Sequence, residues 1–437
     1  MKTKLIPLLA LSLFISACAP IVDESLSDIS PTLAPASPTN SEIPPNSKGE
    51  IDFISNSEIQ FLSTQTDLLS ATQIDILLQA KAVWIAGIPH EDGTAWAIAL
   101  EDGRLEAFAV NQNGFEEIEI SPKKLPARMP LTIYSSNGDV FALTAPSDAS
   151  SLTQPVLIDP ASHQIAYIAT NGDLVISQEG QESRLAVNAL VDSRILLDEE
   201  GRLLFLSSPT ESYAHSVLGD GIESTAITLV ETNPVPKIVQ VVSIPKADAI
   251  EGIAPIWADM NNDSEGEIIV TLSNVQDGAR IVAYREDGSL LAEGPAIGSG
   301  YRWRHQLVIA PFGSSDENLL AVVRTPHIGG VLEFYRLDGN KLEIVKTIPG
   351  ISTHSIGSRN LYTAQAGYFN TDGQIDLLAP DQSHTRLGII SIESESINWI
   401  DLGAELVTNL AAVNSDNNDQ IAIGAGLSNN ILRIWLP

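Results

Sequence analysis

The sequence predicts an all-β fold, a β-propeller, and three observations carry that prediction. From Val83 to the C-terminus, short runs rich in β-branched and aromatic residues alternate with Gly, Asp, Asn and Ser turns. A unit of apolar strand, Asp-containing loop and second apolar strand recurs at Trp257 to Val270, Ala310 to Val323, Ala366 to Ala379 and Ala411 to Gly424. Nothing in this span has the sustained 3.6-residue periodicity of an amphipathic helix.

The N-terminus reads as targeting rather than fold. Lys2 and Lys4 precede an apolar stretch, Leu5 to Ile15, that is too short to span a bilayer. Ile15-Ser-Ala-Cys18 follows and resembles a bacterial lipobox. The resemblance implies a signal peptide over residues 1–17 and acylation of Cys18. It further implies anchorage in the cell envelope, with Ala19 pointing to the outer membrane in a Gram-negative cell. The plain reading is an ordinary secretory signal with an incidental Cys. Cys18 is the only cysteine, so the exported domain holds no disulfide. Residues 18–49 are rich in Ser, Pro and Thr with few large apolar side chains, the composition of a disordered tether.

The propeller domain is expected over residues 50–437. Ile51-Asp-Phe-Ile reads as a strand, and Thr66 to Ala80 as a short, loosely periodic helix. Beyond it, turns such as Glu101-Asp-Gly103, Asn171-Gly172 and Glu286-Asp-Gly288 mark hairpins. A unit of roughly 45 to 55 residues suits one four-stranded blade. The spacing predicts seven blades of four antiparallel strands, near 83–126, 128–182, 188–248, 252–303, 305–357, 360–406 and 408–437. The uneven first half also permits six or eight. The last unit has room for three strands, so an N-terminal strand near Ile51 or Val83 is expected to complete it and remove a free edge.

The most informative loop lies between Trp257 and Ile268. Asp259, Asn261, Asp263 and Glu267 stand at positions 1, 3, 5 and 9, and position 7 offers the Glu265 carbonyl. Alternate side chains of a curled loop converge, and Ca²⁺ takes six to eight oxygen ligands. The bland reading is an Asp/Asn-rich turn without an ion. Ala366-Gly-Tyr-Phe-Asn-Thr-Asp-Gly-Gln-Ile-Asp376 shares the pattern, and together these segments resemble the FG-GAP/VCBS-type repeats of integrin-like propellers. The resemblance covers roughly Gly252 to the C-terminus and implies Ca²⁺ in some loops between first and second strands. Matched position by position, loop 259–267 makes one good site, with Ser264 where the pattern has Gly. Loop 368–376 makes a marginal site, keeping Asn370, Asp372, Gly373 and Asp376 but placing Tyr368 at position 1. The loops around Asp316 and Asp416 read as plain turns.

The formal charge of −31 excludes a duplex-binding role, which needs a basic face, and no nucleic-acid partner is expected. G-x-S-x-G, H-E-x-x-H, P-loop and dinucleotide fingerprints are absent. Against the acidic background stands a cluster of Arg302, Trp303, Arg304, His305, Arg324, His327, His354 and Arg359. In a propeller, connections between blades and loops between second and third strands share a face, opposite the acidic loops. These residues should therefore converge. Arg guanidinium groups and Trp303 suit an anionic ligand, glycan or envelope protein. A His-based metal site and a purely structural role for paired Arg side chains are the competing readings. The sequence thus predicts a calcium-stabilised binding propeller, more in keeping with binding than turnover. An enzyme acting on an acidic sugar or ester, with His and Arg of residues 302–359 as base and oxyanion donors, is the other reading.

Overall fold

The computed structural model describes residues 51–55, 61–91, 93–313, 317–414 and 421–437. The expected signal and tether, Cys18, Asp316 and Asp416 lie outside them. Among the described residues every regular element is a strand, and the chain folds as a β-propeller.

Among the described residues seven four-stranded antiparallel blades follow one another in chain order, the third to fifth linked by edge bridges into one continuous sheet. The first blade is Ala82–His90, Gly93–Leu100, Leu105–Asn111 and Gly114–Glu117. The second is Val156–Asp159, Gln164–Ile168, Leu174–Gln178 and Gln181–Leu185. The third is Leu196–Leu197, Leu203–Thr210, Glu223–Glu231 and Lys237–Ser243. The fourth is Ile256–Ala258, Glu267–Asn274, Gly278–Tyr284 and Leu290–Glu293. The fifth is Arg304–Ala310, Leu319–Arg324, Val331–Asp338 and Lys341–Pro349. The sixth is Gln365–Tyr368, Asp376–Pro380, Arg386–Ser391 and Ser396–Asp401. The seventh is Leu406–Asn414, Ile421–Leu427 and Ile431–Leu436, completed by Thr72–Leu77.

The expected span 128–182 holds more than one blade. The hairpin Ile133–Ser136 and Asp139–Ala142, flanked by Phe53–Ser55 and Ile120–Ser121, forms an extra small sheet. It wedges between the first two blades. Ile133 and Val140 pack in the same core as Ala95 and Ala97, while Tyr134 packs with Tyr167 and Val175.

The helix expected within 66–80 is a strand. Ile74 and Ile76 alternate with polar residues in Thr72-Gln-Ile-Asp-Ile, and Ile76 packs with Leu432 and Ile434. The unfilled edge of the last sheet therefore overrides weak local helical propensity. The closing strand is this one, rather than Ile51 or Val83. Where the ring meets, Asn409 clamps the first and seventh blades. Its Oδ1 accepts from the Ile85 amide at 3.0 Å and its Nδ2 donates to the Ile85 carbonyl at 2.9 Å.

Phe61–Gln65 runs parallel to Gln365–Tyr368, the first strand of the sixth blade. First strands line the axis, so this segment enters the channel.

Closure should dominate stability. Ile76→Ala is expected to cost about 2–4 kcal/mol. Leu77→Ala, on the exposed side of the same strand, should stay within about 0.5 kcal/mol of the parent. Denaturant midpoints check both.

Candidate functional site

The face formed by blade connections and second-to-third-strand loops gathers most of the predicted residues. The connection between the fourth and fifth blades carries Tyr301, Arg302 and Trp303. Trp303 is buried, and its Nε1 donates to the Glu251 carbonyl at 3.2 Å. His305 stacks on it at 4.9 Å between centroids, His327 stacks at 5.8 Å, and His354 meets its edge at 5.0 Å. Gly330 permits this packing: a Cβ there would sit 1.8 Å from the Ile351 carbonyl oxygen.

The hydrogen bonds assign the imidazoles. His305 meets Thr353 Oγ1 through Nδ1 at 2.9 Å. His354 Nε2–H donates to the Ser358 carbonyl at 2.8 Å, so its Nδ1 accepts from His327 Nδ1–H at 3.1 Å. His327 Nε2 is then a buried lone pair without a partner among the described residues. Burial, helped by neighbouring imidazoles, lowers all three against backbone hydrogen bonds that act in the opposite direction. His305 falls well below the usual range, His327 falls, and His354 falls to about 3. The cluster is neutral at pH 7.

The arginines are also present but engaged. Arg304 is buried and donates to Glu333 at 3.0 Å and to the Ala279 carbonyl at 2.9 Å. Arg324 reaches the other oxygen of Glu333 at 2.7 Å. Arg359 donates to Asp192 at 2.8 Å and also pairs with Asp220. Among the residues predicted here, Arg302 is exposed and bonds only a backbone carbonyl, that of Ile297 at 3.4 Å. The guanidinium groups pin blade junctions, and the face is imidazole-rich and aromatic more than basic.

A second group adjoins the cluster. Glu251 is fully buried and meets both His215 Nδ1 and Ser273 Oγ. Tyr213 and Tyr301 flank His215, with centroids 6.0 and 5.4 Å from it. Burial pushes the Glu223 carboxyl well above its usual range, with Glu251 as the next cause, and burial likewise raises Glu251 and Asp192. Sequence reasoning did not select Glu251, Glu223 or Asp192. A signal existed: Glu251 sits in the apolar run Ala249-Ile-Glu-Gly-Ile253, and Asp192 follows Leu190-Val191.

On the axis, Arg194 is buried and spans the ring. It donates to the carbonyls of Leu152 at 3.0 Å and Arg359 at 2.9 Å and lies 5.6 Å over Trp84 and 5.8 Å over Tyr362.

The two acidic loops on the opposite face repeat one geometry. Asp263 N donates to Asn261 Oδ1 at 2.8 Å, and Asp372 N to Asn370 Oδ1 at 2.8 Å. Asn261 Nδ2 reaches Glu267 at 2.9 Å, and Asn370 Nδ2 reaches Asp376 at 2.8 Å. Position 6 is left-handed in both, with φ 71 at Ser264 and 74 at Gly373. Ser264 therefore adopts the backbone that glycine supplies more cheaply. Asp259 accepts from the amides of Asp263 and Ser264 at 3.2 and 2.8 Å. The Glu265 amide donates to Asp263 at 2.9 Å. Burial, then Asp263 and Asp259, raise the Glu267 carboxyl. In the second loop Asp376 is fully buried, its Oδ1 has no partner among the described residues, and burial followed by Asp372 pushes it up to about 7.

No family model matches the chain, and no curated protein matches it. Solved structures with a similar architecture include the Myceliophteria thermophila Cps50 (Swd1) β-propeller domain. It has 10% identity and a TM-score of 0.44 over 84% of this chain and 100% of that chain. Saccharomyces cerevisiae Sqt1 matches at 7% identity and a TM-score of 0.42, over 85% of this chain and 99% of that one.

Proton NMR across pH 7 to 4 should show the His354 ring neutral throughout, because its folded value lies near 3. A transition near the free-histidine value of about 6.5 would contradict the tautomer assignment.

Proposed function

We propose that this chain is a lipid-anchored cell-envelope propeller that binds a partner through the imidazole-rich face. One observation carries the reading. Tyr301 is 52% exposed, Ile328 76% and Ile356 68%, and all three stand on loops of that face. The loops touch: Tyr301 packs on His215, His327 bonds His354, and the Gly357 amide donates to the Val217 carbonyl at 2.7 Å. Exposed apolar side chains gathered over a rigid, uncharged base suit a protein interface. Arg302 at its rim offers a partner one cation for an acidic group, which is what the anionic-ligand expectation retains. A photoreactive residue at position 328 or 356 should crosslink one discrete envelope component, and the same residue at the outlying position 290 should not. Equal products from all three positions would remove the docking face. Palmitate labelling lost in Cys18→Ser tests the anchor.

Ca²⁺ belongs to the same proposal. Asp259, Asn261, Asp263, Glu267 and the Glu265 carbonyl would hold one ion, and Asn370, Asp372 and Asp376 another. The unpartnered Oδ1 of Asp376 and the crowded carboxylates around Glu267 fit a hard cation, which would neutralise them. The sign of the pH dependence follows. Asp376 has a raised value, so its contribution to stability is present below about 3.8 and is lost as pH rises through about 7. Without cation, Asp376→Asn should therefore stabilise the chain at pH 8, by on the order of 2 kcal/mol. Ca²⁺ should raise the melting temperature of the parent at pH 8 and raise it less in that variant. An equal shift in both would remove the second site.

A catalytic reading has one observation of its own. Glu251 fixes His215 through Nδ1, and Nε2 has no partner among the described residues. Ester or glycoside turnover abolished by His215→Ala, with crosslinking from position 328 intact, would select it. His305 is a poor base because it is buried, which holds it well below the usual imidazole range.

A further inference from the structure

The axis of the propeller holds a cavity of about 490 Å³ that the loop-face reading does not use. The first strands of the third to fifth blades, with the segments leading into the fourth and sixth, build its wall, chiefly from Leu196, Ala254, Ile256, Leu307 and Leu361. Tyr362 and His305 close one end, with Arg194 stacked over Tyr362. The other end opens beside Trp257, Gly266 and Phe61, on the face of the acidic loops.

The wall is fixed. Gln306 donates to the Ala254 carbonyl at 3.0 Å and accepts from Thr271 Oγ1 at 2.7 Å, tying the fourth and fifth blades together. The mouth is fixed as well. Arg202 donates to Asp198 at 2.6 Å and to Glu286 at 2.6 Å and lies 5.1 Å over Trp257, whose Nε1 donates to Glu286 at 2.9 Å. The volume falls in the range of small-molecule sites, which are mostly apolar, concave and preformed.

Charge narrows the ligand class. The mouth sets two carboxylates against one guanidinium, and that guanidinium is fully engaged. Among the described residues the lining offers no other Arg or Lys, and the whole chain carries −31. An anion would be repelled on approach and find no partner inside. The polar groups on offer are backbone ones. First strands such as Ile256–Ala258 pair on one side only, so some of their N–H and C=O groups face the axis.

We infer that the axial channel is a binding site for an uncharged, mainly apolar small molecule carrying one or two hydrogen-bonding groups. The preformed wall requires no rearrangement on binding, and the mouth network selects against acids.

N-phenyl-1-naphthylamine, uncharged and fluorescent in apolar surroundings, tests this with the full chain. It should bind saturably at one molecule per chain, and the anionic 1-anilinonaphthalene-8-sulfonate should bind about tenfold more weakly or worse. Ala254→Trp fills the channel and should weaken the uncharged probe at least about tenfold, whereas Ile328→Asp on the loop face should leave it unchanged. Melting curves establish that the filled variant folds, and Ile256→Trp, at a half-buried position, replaces it if it does not. Undiminished binding in a folded filled variant, equal affinity for both probes, or no saturable site on the native chain would overturn the inference. Loss of binding in Ile328→Asp would do so too, by placing the probe on the loop face.

Discussion

The ring depends on one pairing, that of Thr72–Leu77 with Ile431–Leu436. Each blade is a four-stranded sheet with apolar residues on both faces, so it is stable only between two neighbours. A blade lacking its fourth strand would present an unpaired edge and bare the core around Leu432 and Ile434. Because the closing strand comes from the far end of the chain and leads straight into the first blade, it ties the two ends of the chain together. Asn409, bonded to both the amide and the carbonyl of Ile85, then locks the seam. Everything functional on either face is held by that closure.

Within the closed ring, charge is handled by local neutralisation. Glu333 accepts from Arg304, Arg324 and Tyr335, and Arg359 bridges Asp192 and Asp220. Buried ions must be paired or their desolvation is not offset. The acidic chain supplies carboxylates for these guanidinium groups, whereas buried Arg194 is satisfied by backbone carbonyls and aromatic rings. The imidazoles meet burial differently: they stay neutral and bond Thr353, Ser358 and one another. A face that looks basic in one dimension thereby becomes an uncharged platform in three.

That contrast explains what the sequence disclosed. Repeat period and turn residues set the strand rhythm, and both are local, so the four-stranded blades were legible. The face assignment was legible too, because it follows from connectivity alone: Trp303, His305, His327 and His354 do meet. Partnership was not legible. Arg359 and Asp192 are far apart in sequence, and Glu333 gives no sign that it takes two arginines. The small sheet at 133–142 was missed because its strands come from separate parts of the chain. Thr72–Leu77 was misread as helix because its five-residue alternation is too short to outweigh weak helical spacing until its partner strand is known. The second acidic loop was underrated for a related reason. Tyr368 at position 1 drew attention to what was lost, while the burial of Asp376, which leaves an oxygen unpaired, is a tertiary fact.

The two faces are built to act separately. Coupling between sites needs an element with two arrangements that both sites can bias. The structural element common to the channel and the loop face is the pair His305 and Trp303, and it has no second arrangement on offer. His305 is buried with Nδ1 bonded to Thr353, and Trp303 stacks with two imidazoles and has its N–H bonded to the Glu251 carbonyl. Arg194, bonded across the axis and sandwiched near Trp84 and Tyr362, blocks the remaining path. A rotation of either ring would break buried hydrogen bonds, each costing on the order of 1–3 kcal/mol when left unmade. A molecule in the inferred channel site would therefore meet a fixed floor, and a partner on the proposed loop face would meet the other side of it, so that occupancy of one would leave the other unchanged.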